Sequence, residues 1–309
     1  MSDIASVSLE KPLEDIAREL GDSFAEFGFA IVRDHGVPDD LIARAEEASR
    51  AFFALPEETK RAYKIAGIGG ARGYTPFGQE QAKDATIFDL KEFWHVGRDL
   101  APDHALAEFM EPNVWPAEVP EFESVMRELY DSLEASGRRV LSAIAIHLGE
   151  DRHFFDSTIE DGNSVLRLLR YPPLPADAPD GAIRAAPHGD INAITLLLGA
   201  EEAGLELLSR KGEWLPVSPP PGALAVNIGD MLERLTKGRL RSTTHRVVNP
   251  AGDAVRRARY SMPFFLHFRP DYMIETLPSC IDPAHPDDHP APISSHDFLM
   301  QRLREINLA

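Results

Sequence analysis

Apolar residues recur at helical spacing in the first part of the chain and at strand spacing in the later part. Between Pro12 and Phe27, the positions Leu13, Ile16, Ala17, Leu20, Phe24 and Phe27 predict an amphipathic helix. Phe29, Ile31 and Val32 predict a short strand that leaves through a turn at His35-Gly36. Pro38 opens a second helix. Asp39 and Asp40 suit its positive N-terminus, and Leu41, Ala45, Ala48 and Phe52 line one face before Pro56. Residues 66–75, AGIGGARGYT, read as a mobile glycine-rich loop. They do not fit G-x-G-x-x-G, and no strand-then-helix context surrounds them. Pro112 to Pro120 reads as a linker. A long helix then runs from about Glu121 to Leu148, buried along Val125, Leu129, Leu133, Val140, Leu141 and Ile144.

After Asp161 the period changes. SVLRLLRYPP, AITLLLGA, LELLSR, EWLPVSPP, ALAVNIGD, THRVVNP and RYSMPFFLHF are short apolar runs punctuated by Gly, Pro, Asn or Asp. Such a series predicts a sandwich or barrel of antiparallel strands. Ser294-Ser295-His296-Asp297 then caps a final helix through Leu303 and Ile306.

Composition narrows the function. The 309 residues are 43% apolar and 27% charged, which suits a folded chain with a sizeable core. The formal net charge of −18 argues against nucleic acid or an anionic membrane as partner. With one cysteine, Cys280, an intrachain disulfide and a cysteine-based zinc site are excluded, which suits a reducing compartment. The N-terminus, MSDIASVSLEKPLEDIAREL, has early acids and no apolar signal core. A cytoplasmic protein acting on a small molecule is expected. The 11 histidines are the remaining resource for metal chemistry.

His188-Gly189-Asp190 is read as the opening of the strand INAITLLLG, where alternation puts His188 and Asp190 on one side. A third ligand must come from elsewhere, and His245 in STTHRVVNP is the best candidate. Two histidines and one carboxylate leave three positions open on an octahedral ion, which suits non-haem Fe(II) oxygen chemistry. H-x-D alone is a weak signal, because His285-Pro286-Asp287 also matches; its prolines mark it as a solvated loop. Arg259 and Ser261 share a strand face, with Tyr260 on the other. A guanidinium and a hydroxyl so placed can clamp a carboxylate. The bland alternative is a surface arginine in the basic patch Arg256, Arg257 and Arg259.

These motifs resemble the isopenicillin N synthase-like iron(II)/2-oxoglutarate-dependent oxygenases. The resemblance runs through FAEFGFAIVRDHGVP, FFALPEETKRAY, GYTPFGQE, DLKEFWHVG, LRLLRYPP, HGDINAITLLL, NIGDMLERLTKGRLRSTTHRVV and RYSMPFF, nearly the whole chain. It implies an α+β fold with a mostly β core, the double-stranded β-helix or distorted jelly roll, flanked by N-terminal and C-terminal helices. It divides the chain into an N-terminal helical and strand region (1–115), a long-helix region (116–160), the dioxygenase β-core (161–270) and a C-terminal segment with a helix (271–309). It implies Fe(II) on His188, Asp190 and His245, with 2-oxoglutarate as cosubstrate and O₂ as oxidant. Arg259 and Ser261 would bind the far carboxylate of 2-oxoglutarate, with Tyr171 near the cosubstrate. Strand alternation puts Arg167 and Leu169 on the face of Tyr171. They are substrate-side candidates, Arg167 being equally readable as a rim salt bridge. Asn227, Gly229 and Asp230 in NIGD look like a structural turn without a catalytic role.

Two positions depart from the family pattern. Gly189 stands where many relatives have Thr, and Leu169 where plant members often carry Asn, which makes the pocket less polar. The activity implied is hydroxylation or desaturation of a small organic substrate with release of succinate and CO₂. With Asp190 present, a halogenase is disfavoured. Two other readings stay open: an Fe(II) oxidase that needs no 2-oxoglutarate, like isopenicillin N synthase itself, and a non-catalytic binding or sensor protein on the same fold.

Overall fold

The computed structural model describes residues 4–67, 70–80, 87–179, 181–200, 203–284, 286, 288 and 290–305. Its helices are α1 (Leu13–Phe27), α2 (Asp39–Phe53), α3 (Glu57–Arg61), α4 (Phe122–Leu148), α5 (Asp156–Ile159), α6 (Asp230–Leu235) and α7 (Ser295–Glu305). Its early strands are β1 (Ser6–Ser8), β2 (Phe29–Arg33), β3 (Gly73–Thr75) and β4 (Glu92–Gly97). The later ones are β5 (Val165–Tyr171), β6 (Ala185–His188), β7 (Ile194–Leu198), β8 (Leu205–Leu208), β9 (Trp214–Pro216), β10 (Leu224–Ile228), β11 (His245–Val247), β12 (Arg259–Leu266), β13 (Met273–Ile274) and β14 (Ile293–Ser294).

The strands form a major sheet in the order β1-β2-β10-β7-β12-β5-β4-β3 and a minor sheet in the order β6-β11-β8-β9. Pairing is antiparallel except between β1 and β2. This is the jelly-roll architecture expected of the sequence, with the N-terminal strand β2 built into the core sheet beside β10. Alternation along the major sheet divides its residues between two environments. Ile194, Leu196, Leu198, Met262, Phe264, Leu266, Leu166, Leu168, Trp94 and Val96 belong to the main apolar core together with α1, α2 and α4. The intervening residues, among them Thr195, Arg259, Ser261, Leu169 and Tyr171, face a cavity closed on the other side by the minor sheet. Burial of the helical stripe of α4 against β7 and β12 holds the cavity wall from behind. Among the described residues, no helix is long and apolar enough to cross a membrane.

Two sequence expectations are corrected. First, the strand expected to begin at His188 is interrupted. β6 ends at His188, β7 begins at Ile194, and the two lie in different sheets. Residues 189–193 turn between them because local polar groups compete with the ladder. The Asp190 carbonyl accepts from Asp230 N–H at 2.7 Å, and Asn192 Nδ2 donates to the Ile194 carbonyl at 2.6 Å. Second, the glycine-rich run 66–75 is not wholly loop. Gly73, Tyr74 and Thr75 form β3 against β4, and residues 68 and 69 lie outside the described set. Gly73 has φ of 70°, and a Cβ there would meet the Tyr63 carbonyl at 2.5 Å, so glycine is what allows this close approach. β4, for which the sequence periodicity predicts no element, is buried along its whole length, its polar Glu92 and His95 included.

The expected cap of the last helix is present: Ser294 Oγ accepts the Asp297 N–H at 3.0 Å. Ile306, and His285 and Asp287 of the second H-x-D, lie outside the described residues.

Candidate metal centre and cosubstrate cavity

His188 and His245 sit directly opposite each other in the antiparallel pair of β6 and β11. Their ring centroids are 4.4 Å apart. Asp190 reaches the same point from the turn after β6, with Oδ1 4.0 Å from His188 Nε2 and Oδ2 3.9 Å from His245 Nε2. One nitrogen or oxygen from each residue lies within 4.8 Å of the others, a group that could hold a metal ion. His188 and Asp190 thus converge as expected, through a turn rather than along one strand.

Each ligand candidate is oriented by its surroundings. His188 Nδ1 lies 2.7 Å from the Ala186 carbonyl, and His245 Nδ1 lies 3.1 Å from the Thr243 carbonyl. With Nδ1–H donating to backbone in each ring, the Nε2 lone pairs aim into the cavity. Phe29 meets His245 edge-on, centroids 5.4 Å apart. Asp190 Oδ2 accepts from Thr195 Oγ1 at 2.6 Å and from Asn227 Nδ2 at 2.8 Å. Burial pushes the His188 imidazole down to about 4, and His245 acts in the same direction against the attraction of Asp190. Burial alone would raise the Asp190 carboxyl. His245, His188 and the bonds from Asn227 and Thr195 outweigh it and hold the group below its ordinary value. A deprotonated carboxylate between imidazoles with free Nε2 positions is the donor set of a facial triad, and it fits Fe(II).

Arg259 lies deep in the same cavity, 1% exposed, not in a surface basic patch. Its Cα pairs with Tyr171 and that of Ser261 with Leu169 across β12 and β5. The guanidinium carbon sits 5.3 Å from the centre of the Tyr171 ring. Its bond from Nη2 to the Gly199 carbonyl is long at 3.5 Å, and Nε is buried without a partner among the described residues. A buried guanidinium with unmatched donors beside a hydroxyl fits an anionic carboxylate. Tyr260, by contrast, points to the other face, where Arg50 covers its ring at 4.2 Å. The cavity is a cleft open to solvent. Arg167 and Leu169 line it, as does Lys91.

Sequence reading missed Lys91, Thr195 and the part played by Asn227. Asn227 is a strand residue bonded to Asp190, and the turn begins only at Gly229. The available signal was a polar residue interrupting the apolar run ALAVNI at an inward position. Gly189 stands outside any strand. A Cβ there would lie 3.2 Å from Ser242 Oγ and 3.3 Å from Asp230 Oδ1, a tight fit rather than a forbidden one.

Comparison with known proteins bears on this arrangement. The 2OG-Fe(II) oxygenase superfamily model matches residues 162–268, and the model described as non-haem dioxygenase in morphine synthesis N-terminal matches residues 1–118. A 2-oxoglutarate-Fe(II) type oxidoreductase of Emericella nidulans is 34% identical over 295 residues, covering 92% of this chain and 82% of that protein. The chain belongs to the 2OG-Fe(II) oxygenase superfamily. A crystal structure of a 2OG-Fe(II) oxygenase family protein from Caulobacter crescentus is 55% identical, with a TM-score of 0.91, covering 99% of this chain and 100% of that one. A full-length Neurospora crassa protein crystallised in complex with alpha-KG is 29% identical with a TM-score of 0.84, covering 97% of this chain and 95% of that one. The oxygenase is therefore an Fe(II)- and 2-oxoglutarate-dependent dioxygenase, with O₂ as the second cosubstrate. The isopenicillin N synthase-like resemblance of the sequence is compatible with this membership.

Proposed function

We propose that His188, Asp190 and His245 hold the Fe(II), that Arg259, Ser261 and Tyr171 bind 2-oxoglutarate, and that Arg167 and Leu169 border a small organic substrate. The substrate is hydroxylated or desaturated with release of succinate and CO₂. The observation that carries this reading is the pairing of two features in one cavity: the His188/Asp190/His245 group and the buried, incompletely bonded Arg259 beside Ser261.

Bound Fe(II) supplies O₂ activation coupled to oxidative decarboxylation of 2-oxoglutarate. The protein's residues supply position. Asn227 and Thr195 fix the Asp190 carboxylate through Oδ2. The Ala186 and Thr243 carbonyls fix both imidazole rings. Arg259 and Ser261 set the distance between the far carboxylate of the cosubstrate and the metal group. Leu197, Leu205, Val247, Pro263 and Phe265 present apolar walls to the cavity. Small-molecule action accords with the Neurospora crassa protein, which has also been crystallised with alpha-KG and thymine and is 28% identical to this chain in that complex. The net charge of −18 and the buried, unbridged Cys280 support a cytoplasmic enzyme without a nucleic-acid partner.

The test is Fe(II)-dependent conversion of 2-oxoglutarate to succinate by the wild type and by Asp190→Ala. Loss of succinate formation in the variant is expected. Undiminished formation would contradict the assignment of Asp190 to the metal.

A further inference from the structure

Besides Arg259, the cavity wall carries two further cations that are tied together. Among the described residues lining the cavity, Asp190 is the only carboxylate, whereas Lys91, Arg167 and Arg259 are all cationic. Lys91 and Arg167 are joined through Glu80. Lys91 Nζ lies 2.7 Å from Glu80 Oε2, and Arg167 Nη2 lies 3.2 Å from Glu80 Oε1. Asp89 takes a second bond from Lys91 at 2.8 Å, and Asp89 Oδ1 accepts the Ala186 N–H at 2.9 Å. Burial would raise the Glu80 carboxyl, but Arg167 and Lys91 hold it well below the ordinary range. Neither Glu80 nor Asp89 lines the cavity. They stand behind the two cations and fix them.

The donors left over point to a ligand. Lys91 has three N–H bonds and uses two on Glu80 and Asp89. Arg167 donates Nε–H to His95 Nε2 at 2.6 Å and uses Nη1 and Nη2 on Glu80 at 3.3 and 3.2 Å. Among the described residues, one N–H on each terminal nitrogen has no partner. His95 can accept because burial and Arg167 push its imidazole well below the ordinary value, while Nδ1 meets the Gly70 carbonyl at 2.7 Å. The Arg167 guanidinium is held 4.2 Å from the Phe93 ring centre and 5.3 Å from that of Phe265. Flanked by rings and tied on two edges, it has its orientation fixed before any ligand arrives.

Resting on the functional reading above, we propose that Lys91 and Arg167 form a carboxylate-recognition edge, and that the oxygenase acts on a small carboxylic acid with an apolar body. Glu80 and Asp89 offset both positive charges, so recognition works through directed N–H donors rather than net field. A carboxylate accepts from each donor. A primary amide would set its own N–H groups against them, and an ester would leave donors unmatched, both at a cost. Leu169 and Phe265, lining the cavity beside Arg167, receive the apolar body.

The experiment uses protein loaded with Zn(II) and 2-oxoglutarate, which does not turn over. Benzoate, phenylacetate and cyclohexanecarboxylate, each with its primary amide and methyl ester, are titrated by ligand-observed NMR. At least one acid is expected to bind tenfold or more tighter than its amide and ester. R167M is expected to erase that preference, R167K to restore part of it, and K91M to weaken acid binding several-fold. If R167M does not fold, R167Q replaces it, and the same loss of preference is expected. Acids that bind no better than their amides and esters, or an R167M protein that keeps the preference, would overturn the proposal. A 2-oxoglutarate titration on the same samples separates the two levels. No 2-oxoglutarate binding defeats the functional reading, whereas binding without acid preference defeats only this inference.

Discussion

At Asp190 the ligand atom and the groups that aim it can be separated by mutation. Oδ2 takes hydrogen bonds from both Thr195 and Asn227. Asn227→Leu removes one of them without touching a candidate ligand. Metal affinity is expected to fall roughly 10- to 100-fold, the usual cost of losing an outer partner of a ligand, with the fold retained. A Co(II) or Zn(II) titration reads this directly, and unchanged affinity would contradict the orienting role. Arg259→Gln removes a buried cation from the cosubstrate clamp. It is expected to weaken 2-oxoglutarate binding at least about tenfold, because charge-assisted hydrogen bonds contribute on the order of 1.5–3 kcal/mol. An unchanged KM for 2-oxoglutarate would remove Arg259 from the clamp. His188 with Asp190, and Arg259 with Ser261, were legible because each pair is local in sequence, whereas His245 came from a distant run that the family resemblance singled out. Asn227, Thr195 and Lys91 were not, because only the packing of distant strands brings positions 91, 195 and 227 to one cavity.

Among the elements, the strand runs after residue 161 were readable from their alternation, as were α1, α2 and α4 from their helical stripes. β4 was not, since its polar residues Glu92 and His95 are buried together with Phe93, Trp94 and Val96, and no alternation marks it. The break between β6 and β7 was hidden because apolar residues continue past it, while the side-chain and backbone bonds at Asn192 and Asp190 that cause it leave little periodic trace. The start of α6 is packed against that break. A Cβ on Gly229 would lie 2.1 Å from the Asn192 carbonyl oxygen and 3.1 Å from that of Asp190. Backbone cannot yield as a side chain can. Gly229→Ala is therefore expected to destabilise the protein by about 1–3 kcal/mol and to weaken metal binding together with it. A thermal melt and a metal titration on one preparation check both. A variant with wild-type Tm and affinity would show that the turn is not held by this contact.

Across the whole molecule, the net charge of −18 discouraged a nucleic-acid reading but gave no hint of the cations gathered inside the cavity. Surface composition and cavity chemistry are set by different residues. The interior also imposes a pH dependence. His267 is buried, with Nδ1 on the Phe265 carbonyl at 3.1 Å, and burial pushes its imidazole down to about 4. An unfolded histidine titrates near 6.5, so between about 6.5 and 4 the unfolded chain binds more protons than the folded one. Stability therefore falls as pH drops through that window, by on the order of 3 kcal/mol from this group. Metal-free protein should lose Tm from pH 6.5 to 4, and His267→Asn should flatten the decline. A slope unchanged in the variant would assign the acid sensitivity elsewhere.

The most direct test of the central claim is the visible spectrum of the protein loaded with Fe(II) and 2-oxoglutarate in the absence of O₂. A weak metal-to-ligand charge-transfer band is expected in the wild type. It should be absent in His188→Ala and should require more 2-oxoglutarate in Arg259→Gln. Bound iron without the band, or a band that survives loss of the His188 imidazole unchanged, would contradict the assignment of the metal and cosubstrate sites.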